Sequence, residues 1–160
     1  MRRSIVPMAA TLATFAFSGT PAMAQTRHEP SAAAPAGYYV AQKVVYQNSA
    51  GWPDEKTYFQ RLLRNIGAHI SATDGNVEIS VVSFAAGVKL FQLAKIDATL
   101  AKTLDDLRAK KVRFLICRNT LVAMNLTEAD LYNVQAADVV LSGAAEIARL
   151  QGLGYVYIHP

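Results

Sequence analysis

One cysteine, Cys117, closes the apolar run Val112-Arg113-Phe114-Leu115-Ile116-Cys117 and is followed at once by Arg118-Asn119-Thr120-Leu121. The run reads as a strand, and the residues after it as a turn into a helix that Asn119 or Thr120 begins. In an open parallel sheet, such a strand end lies on the edge where sites form. Unpaired N–H groups and the positive end of the helix dipole would face the sulfur there. With Arg118 as a nearby cation, they favour thiolate over thiol. A thiolate attacks disulfides, polysulfides and other electrophilic sulfur. No second cysteine is present to pair with it. Cys117 is therefore an inert buried residue, a link between chains, or a working thiol. Cysteine is among the most buried residue types, and apolar burial raises its pKa and silences it. Position alone leaves all three readings open.

Other chemistry is weakly marked. Gly87, in Ala85-Ala86-Gly87, offers either close approach to a ligand or a plain turn, and loop glycines more often serve the turn. His28, His69 and His159 have no metal-ligand spacing, so neither a metal nor a cofactor is expected. His69 reads as a partly exposed helix residue rather than a partner for Cys117. A nucleophile elbow, a GxGxxG turn and a Walker loop are all missing. Trp52 covers the site edge or packs in the core, and the Tyr38-Tyr39 pair is a candidate contact with a neighbouring subunit.

The elements that must position these residues follow from periodicity. Lys43–Gln47 is a short strand rich in β-branched residues. A helix entered at Pro53 or Asp54 repeats Tyr58, Leu62, Ile66 and Ile70 every four residues, with Phe59 and Leu63 beside them. Asp74-Gly75-Asn76 turns the chain into a second strand, Val77–Phe84. Ala85–Leu90 reads as a small-residue loop, and a helix over Ala98–Ala109 places Leu100, Leu104 and Leu107 on one face. Val112–Cys117 is the third strand, apolar enough to be covered on both sides. A short helix near Thr120–Met124 and another entered by the capping pattern Thr127-Glu128-Ala129-Asp130 lead to a fourth strand, Asp138–Leu141. Ser142 or Gly143 opens a last helix carrying Ile147 and Leu150, closed by Gly152 or Gly154, and Tyr155–Ile158 is the fifth strand. Strand and helix alternate throughout. That pattern predicts an α/β fold with a mainly parallel five-stranded sheet and helices on both faces.

The start of the chain reads as a secretory leader over residues 1–24. Arg2 and Arg3 precede a small, apolar stretch, and Ala22-Met23-Ala24 supplies a small-x-small cleavage pattern. The stretch falls short of the roughly 20 apolar residues a membrane span requires. Export to the periplasm follows, with no membrane association after cleavage. Residues 25–42, rich in Pro, Ala and Ser, read as a flexible tether, and residues 43–160 as one domain. The formal charge of +4 owes half its excess to Arg2 and Arg3, and the other basic residues are interspersed with acids. A nucleic-acid footprint is not indicated.

Cys117-Arg118-Asn119-Thr120-Leu121 after an apolar strand is similar to the Cys-x-Asn-Thr-Leu signature of DsrE/DsrF-like proteins, the YchN-like group. Lys43-Val44-Val45-Tyr46 resembles that family's opening strand, and Arg64-Asn65-Ile66-x-x-His69-Ile70 its first helix. Val81-Val82-Ser83-Phe84-Ala85-Ala86-Gly87-Val88-Lys89-Leu90 resembles its second strand and glycine loop. The segments from Gly143 to Gln151 and from Gly154 to Pro160 resemble its ending. Phe84-Ala85 stands where members with this loop often carry His-Gly, so any help a histidine gives the thiol is missing here. The resemblance implies a three-layer α/β/α domain that assembles into trimers or hexamers. For some members it also implies a cysteine that carries sulfur as a persulfide in sulfur relay, with donor and acceptor proteins as partners.

Two expectations follow. In the first, Cys117 accepts and passes on sulfane sulfur, a carrier rather than an enzyme of bulk turnover, with Arg118, Asn119, Thr120 and Gly87 around the site. In the second, the protein is a non-catalytic oligomeric binding module and Cys117 is structural.

Overall fold

The computed structural model describes residues 35, 37–50 and 53–160. The leader, most of the tether, and Trp52 lie outside the described residues. Five strands form one sheet: β1 (Gln42–Asn48), β2 (Val77–Ser83), β3 (Arg113–Cys117), β4 (Val139–Val140) and β5 (Val156–Ile158). Their order is β4-β3-β2-β1-β5 and every pairing is parallel. Between them run α1 (Glu55–Ala72), α2 (Lys89–Ala94), α3 (Ala98–Ala109), α4 (Arg118–Ala123) and α5 (Gly143–Gly152).

The strand order explains the layers. From β1 to β4 each strand is laid down on the same side of its predecessor. Right-handed crossovers then put the connecting helices on one face of the sheet. Leu62 and Ile66 of α1, Phe91 of α2 and Leu100 and Leu104 of α3 accordingly share a core with Val44, Val81, Phe114 and Ile116. The step from β4 to β5 crosses back over the whole sheet, so α5 lies on the other face. There Ile147 and Leu150 meet Val45, Val82, Leu115 and Tyr155 in a smaller core. The result is a three-layer α/β/α fold with one thick layer and one layer built on a single helix.

Helix starts are fixed by side chains that accept otherwise orphaned N–H groups. Asp54 accepts from Thr57 N–H at 3.0 Å, Asp97 from Thr99 and Leu100 N–H, and Ser142 from Ala145 N–H. Several elements differ from the sequence expectation. The first strand takes in Gln42, which the composition had assigned to the tether, while the fourth shrinks to Val139–Val140 and the fifth begins at Val156. The small-residue loop after β2 is instead a 3₁₀ turn, Ala85–Val88, that runs into α2. The capping pattern at Thr127 is present, with the Asp130 carboxylate accepting from Thr127 N–H, yet it opens only a 3₁₀ turn, Glu128–Asp130.

Candidate functional site

Cys117 is both the last residue of β3 and the N-cap of α4, with an extended backbone at φ −73° and ψ 118°. The helix therefore starts at Arg118, one or two residues earlier than Asn119 or Thr120. No residue separates the strand from the helix, so the thiol sits directly below the first turn. Parallel pairing brings the carboxyl ends of β1, β2 and β3 together as Asn48, Ser83 and Cys117. A cleft of about 550 Å³ opens on this edge. It lies beside β3 rather than between β1 and β5, where the order of strand addition switches sides.

Three segments wall the cleft. Phe84, Ala85, Ala86 and Lys89 come from the turn after β2 and the start of α2. Asn119, Thr120, Ala123 and Met124 come from α4, and Ser142, Gly143 and Ala144 from the start of α5. Cys117 lines the cleft while only 5 % exposed. Burial pushes its pKa up. The N–H groups of Gly143, Thr120 and Asn119 and the Thr120 hydroxyl push it down further, and the net direction is below the ordinary thiol value. They face the sulfur without closing onto it as a regular capping hydrogen bond. Thr120 Oγ1 accepts from Ala85 N–H at 3.0 Å, which leaves its own hydrogen for the sulfur.

Sequence reasoning named Cys117, Arg118, Asn119, Thr120 and Gly87. Cys117, Asn119 and Thr120 meet in the cleft. Arg118 is exposed outside the lining and is not among the groups that chiefly set the thiol's pKa. The anion is favoured by neutral N–H and O–H donors. Gly87 is also outside the lining and packs onto β1: a Cβ there would come within 2.0 Å of the Asn48 carbonyl oxygen. Asn48 Nδ2 donates to Ser83 Oγ at 3.0 Å and to the Gly87 carbonyl at 2.9 Å, locking the turn to the strand ends. The close approach that glycine permits here is backbone against backbone. His69 is remote from this edge, its ring spanning Tyr46 Oη at 2.8 Å and Gln42 Oε1 at 2.7 Å. Burial lowers its pKa. Among the described residues no group of three or more His, Cys, Asp or Glu side chains could hold a metal ion.

Gly143, Phe84 and Lys89 were not picked out as site residues from sequence. Gly143 has to lack a side chain because the Phe84 ring lies against it; a Cβ there would sit 2.9 Å from Phe84 Cδ1. A glycine between a strand and an apolar helix was the available signal. Ala85 adopts φ 48°, a left-handed conformation that costs an alanine about 1–2 kcal/mol. That conformation aims the Ala85 N–H at Thr120.

Comparison with known proteins agrees with the geometry. A search of curated proteins returned no match. A solved structure, that of the protein of unknown function MTH1491 from Methanobacterium thermoautotrophicum, superposes with a TM-score of 0.63 at 28 % sequence identity. The match covers 74 % of this chain and 99 % of that one. The model of the DsrE/DsrF-like family matches residues 42–160, β1 to the C-terminus, so the chain belongs to the DsrE/DsrF-like family.

Proposed function

We propose that this protein handles sulfur in the periplasm, with Cys117 accepting sulfane sulfur and passing it on as a persulfide. The DsrE-like family is known in sulfur relay generally. The observation that carries the reading is the convergence of three N–H groups and one hydroxyl on a thiol that opens into a cleft. In the first step the Cys117 thiolate attacks the outer sulfur of a donor R–S–SH. A new S–S bond forms at Cys117, the donor S–S bond breaks, and R–S⁻ leaves with the electron pair. In the second, an acceptor thiolate attacks the outer sulfur of the Cys117 persulfide and the Cys117 thiolate is restored. Both steps are redox-neutral and need no cofactor. Asn119 and Thr120 hold the anion, and a homo-oligomer presents several such clefts to donor and acceptor proteins.

The test is intact-mass spectrometry of the protein before and after polysulfide, with Cys117→Ser alongside. Added sulfur on the wild type alone, removed by a reductant, is expected. Sulfur retained on Cys117→Ser, or none on the folded wild type, refutes the reading. The 5 % exposure of Cys117 favours a second reading, a structural thiol in a non-catalytic binding module. On that reading the thiol is labelled only after denaturation.

A further inference from the structure

Among the described residues that line the cleft, Lys89 is the one with a permanently charged side chain; Cys117, when ionised, is the other charge, and the remaining ten are neutral. Its ammonium is committed to the Glu55 carboxylate at 2.8 Å, and Glu55 is itself outside the lining. The pair joins the first residue of α2 to the first residue of α1, both partly exposed at the rim. Alanine, methionine and phenylalanine side chains make up much of the wall, with Asn119, Thr120 and Ser142 as neutral polar groups.

We propose that Glu55 masks Lys89, leaving the cleft without a free cation, so that Cys117 reacts with sulfur on uncharged carriers in preference to dianionic donors such as thiosulfate. A dianion entering a largely apolar cleft gives up hydration and meets the Cys117 thiolate. The neutral donors there already face that sulfur, so an unpaired cation is the group that would offset the cost. The bare Lys89 ammonium would supply that attraction, and Glu55 removes it. The chemistry is the same for both donor classes. Thiolate attack on the outer sulfur forms the Cys117 S–S bond and breaks the donor's S–S bond. The electron pair leaves on R–S⁻ from an uncharged R–S–SH, or on sulfite from thiosulfate. The inference rests on the reading above only in taking Cys117 as the reacting atom. Glu55 and Lys89 are specificity-determining residues that act on the charge of what enters.

Alkylation separates this from the sulfur-relay reading. Iodoacetamide and iodoacetate differ by one negative charge, and both report on Cys117 alone because no other cysteine is present. In the wild type the ratio of their rate constants, amide over acid, should exceed that of free cysteine. Glu55→Gln should lower the ratio by about fivefold, the factor that roughly one charge–charge contact near water supplies. Lys89→Gln should raise it, and the double variant should return it to the wild-type value. Unaltered melting temperatures would keep the comparison to charge. A ratio in Glu55→Gln equal to that of the wild type, a wild-type ratio no higher than free cysteine, or failure of both reagents to label native Cys117 overturns the proposal. If the charge cycle holds but polysulfide adds no sulfur, the relay reading falls and the filter stands.

Discussion

Gly143→Ala couples the packing of the cleft to the acidity of the thiol. The new Cβ would lie 2.9 Å from Phe84 Cδ1, 3.1 Å from Phe84 Cβ and 3.2 Å from Phe84 Cγ. Swinging the ring about χ1 relieves the contacts to Cδ1 and Cγ but not the contact to Cβ, so the start of α5 or the end of β2 must shift. Overpacking of this kind costs about 1–3 kcal/mol. The better helix propensity of alanine returns at most about 1 kcal/mol. The net expectation is a loss of about 1–2 kcal/mol, read as a lower urea midpoint at unchanged slope. The same shift carries the Gly143 N–H away from Cys117. That group is the strongest of those that lower the thiol's pKa against the upward push of burial. The pH profile of iodoacetamide labelling should therefore move upward, toward the ordinary cysteine value of about 8.5. Phe84→Ala in the Gly143→Ala background removes the ring contacts and should recover part of the stability. A Gly143→Ala protein as stable as wild type, with an unmoved labelling profile, would refute both the tight contact and the role of this N–H.

Two further outcomes are expected. Ala85→Gly should stabilise the fold by about 0.5–1 kcal/mol, because glycine takes the left-handed φ of 48° without strain and gives back only part of that gain in chain entropy; a lower urea midpoint would refute it. Lys56 donates to Asp97 and, with Leu100 N–H, holds its carboxyl below the usual carboxylate range. The folded pKa is below the unfolded one. The contribution is therefore complete above about pH 4 and fades as pH falls through the folded value. The melting-temperature gap between wild type and Asp97→Asn should narrow between pH 7 and pH 3, and a constant gap would contradict the assignment.

Much of this fold was legible because burial and periodicity agree. Tyr58, Leu62 and Ile66 repeat at helical spacing and are buried, and Ala98–Ala109 is a helix to the residue. Strand β3 reads as doubly covered, and Phe114 and Ile116 do face the larger core while Leu115 faces the smaller. The boundaries that moved are those set by neighbours rather than by the local chain. Strand β4 keeps only two residues because a 3₁₀ turn, Ala136–Asp138, takes up the chain before it and its partner β3 ends at Cys117, opposite Val140. Ala85–Val88 is helical because Phe84 is fastened to β1 through its N–H to the Asn48 carbonyl and accepts from Gly87 N–H. None of those contacts has a signature in the sequence. At the site, Cys117, Asn119 and Thr120 were readable as one segment. Phe84 was placed near the thiol only through the family resemblance, and Gly143 and Lys89 were not placed there at all, since all three reach the cleft from segments remote in the chain.

Burial and a lowered pKa are reconciled at Cys117 by what does the burying. An apolar cover would raise the thiol's pKa and end its chemistry. Here the cover is the first turn of α4 and the first residue of α5, and both present N–H groups to the sulfur. Phe84 packs on Gly143 and lines the same cleft. The ring that lines the cleft thus fits against the residue whose N–H sustains the thiol's anion. Replacing Phe84 by a small residue would open the cleft and loosen that N–H together. Access and acidity would then change in opposite senses for the thiolate: easier to reach, but less of it at neutral pH.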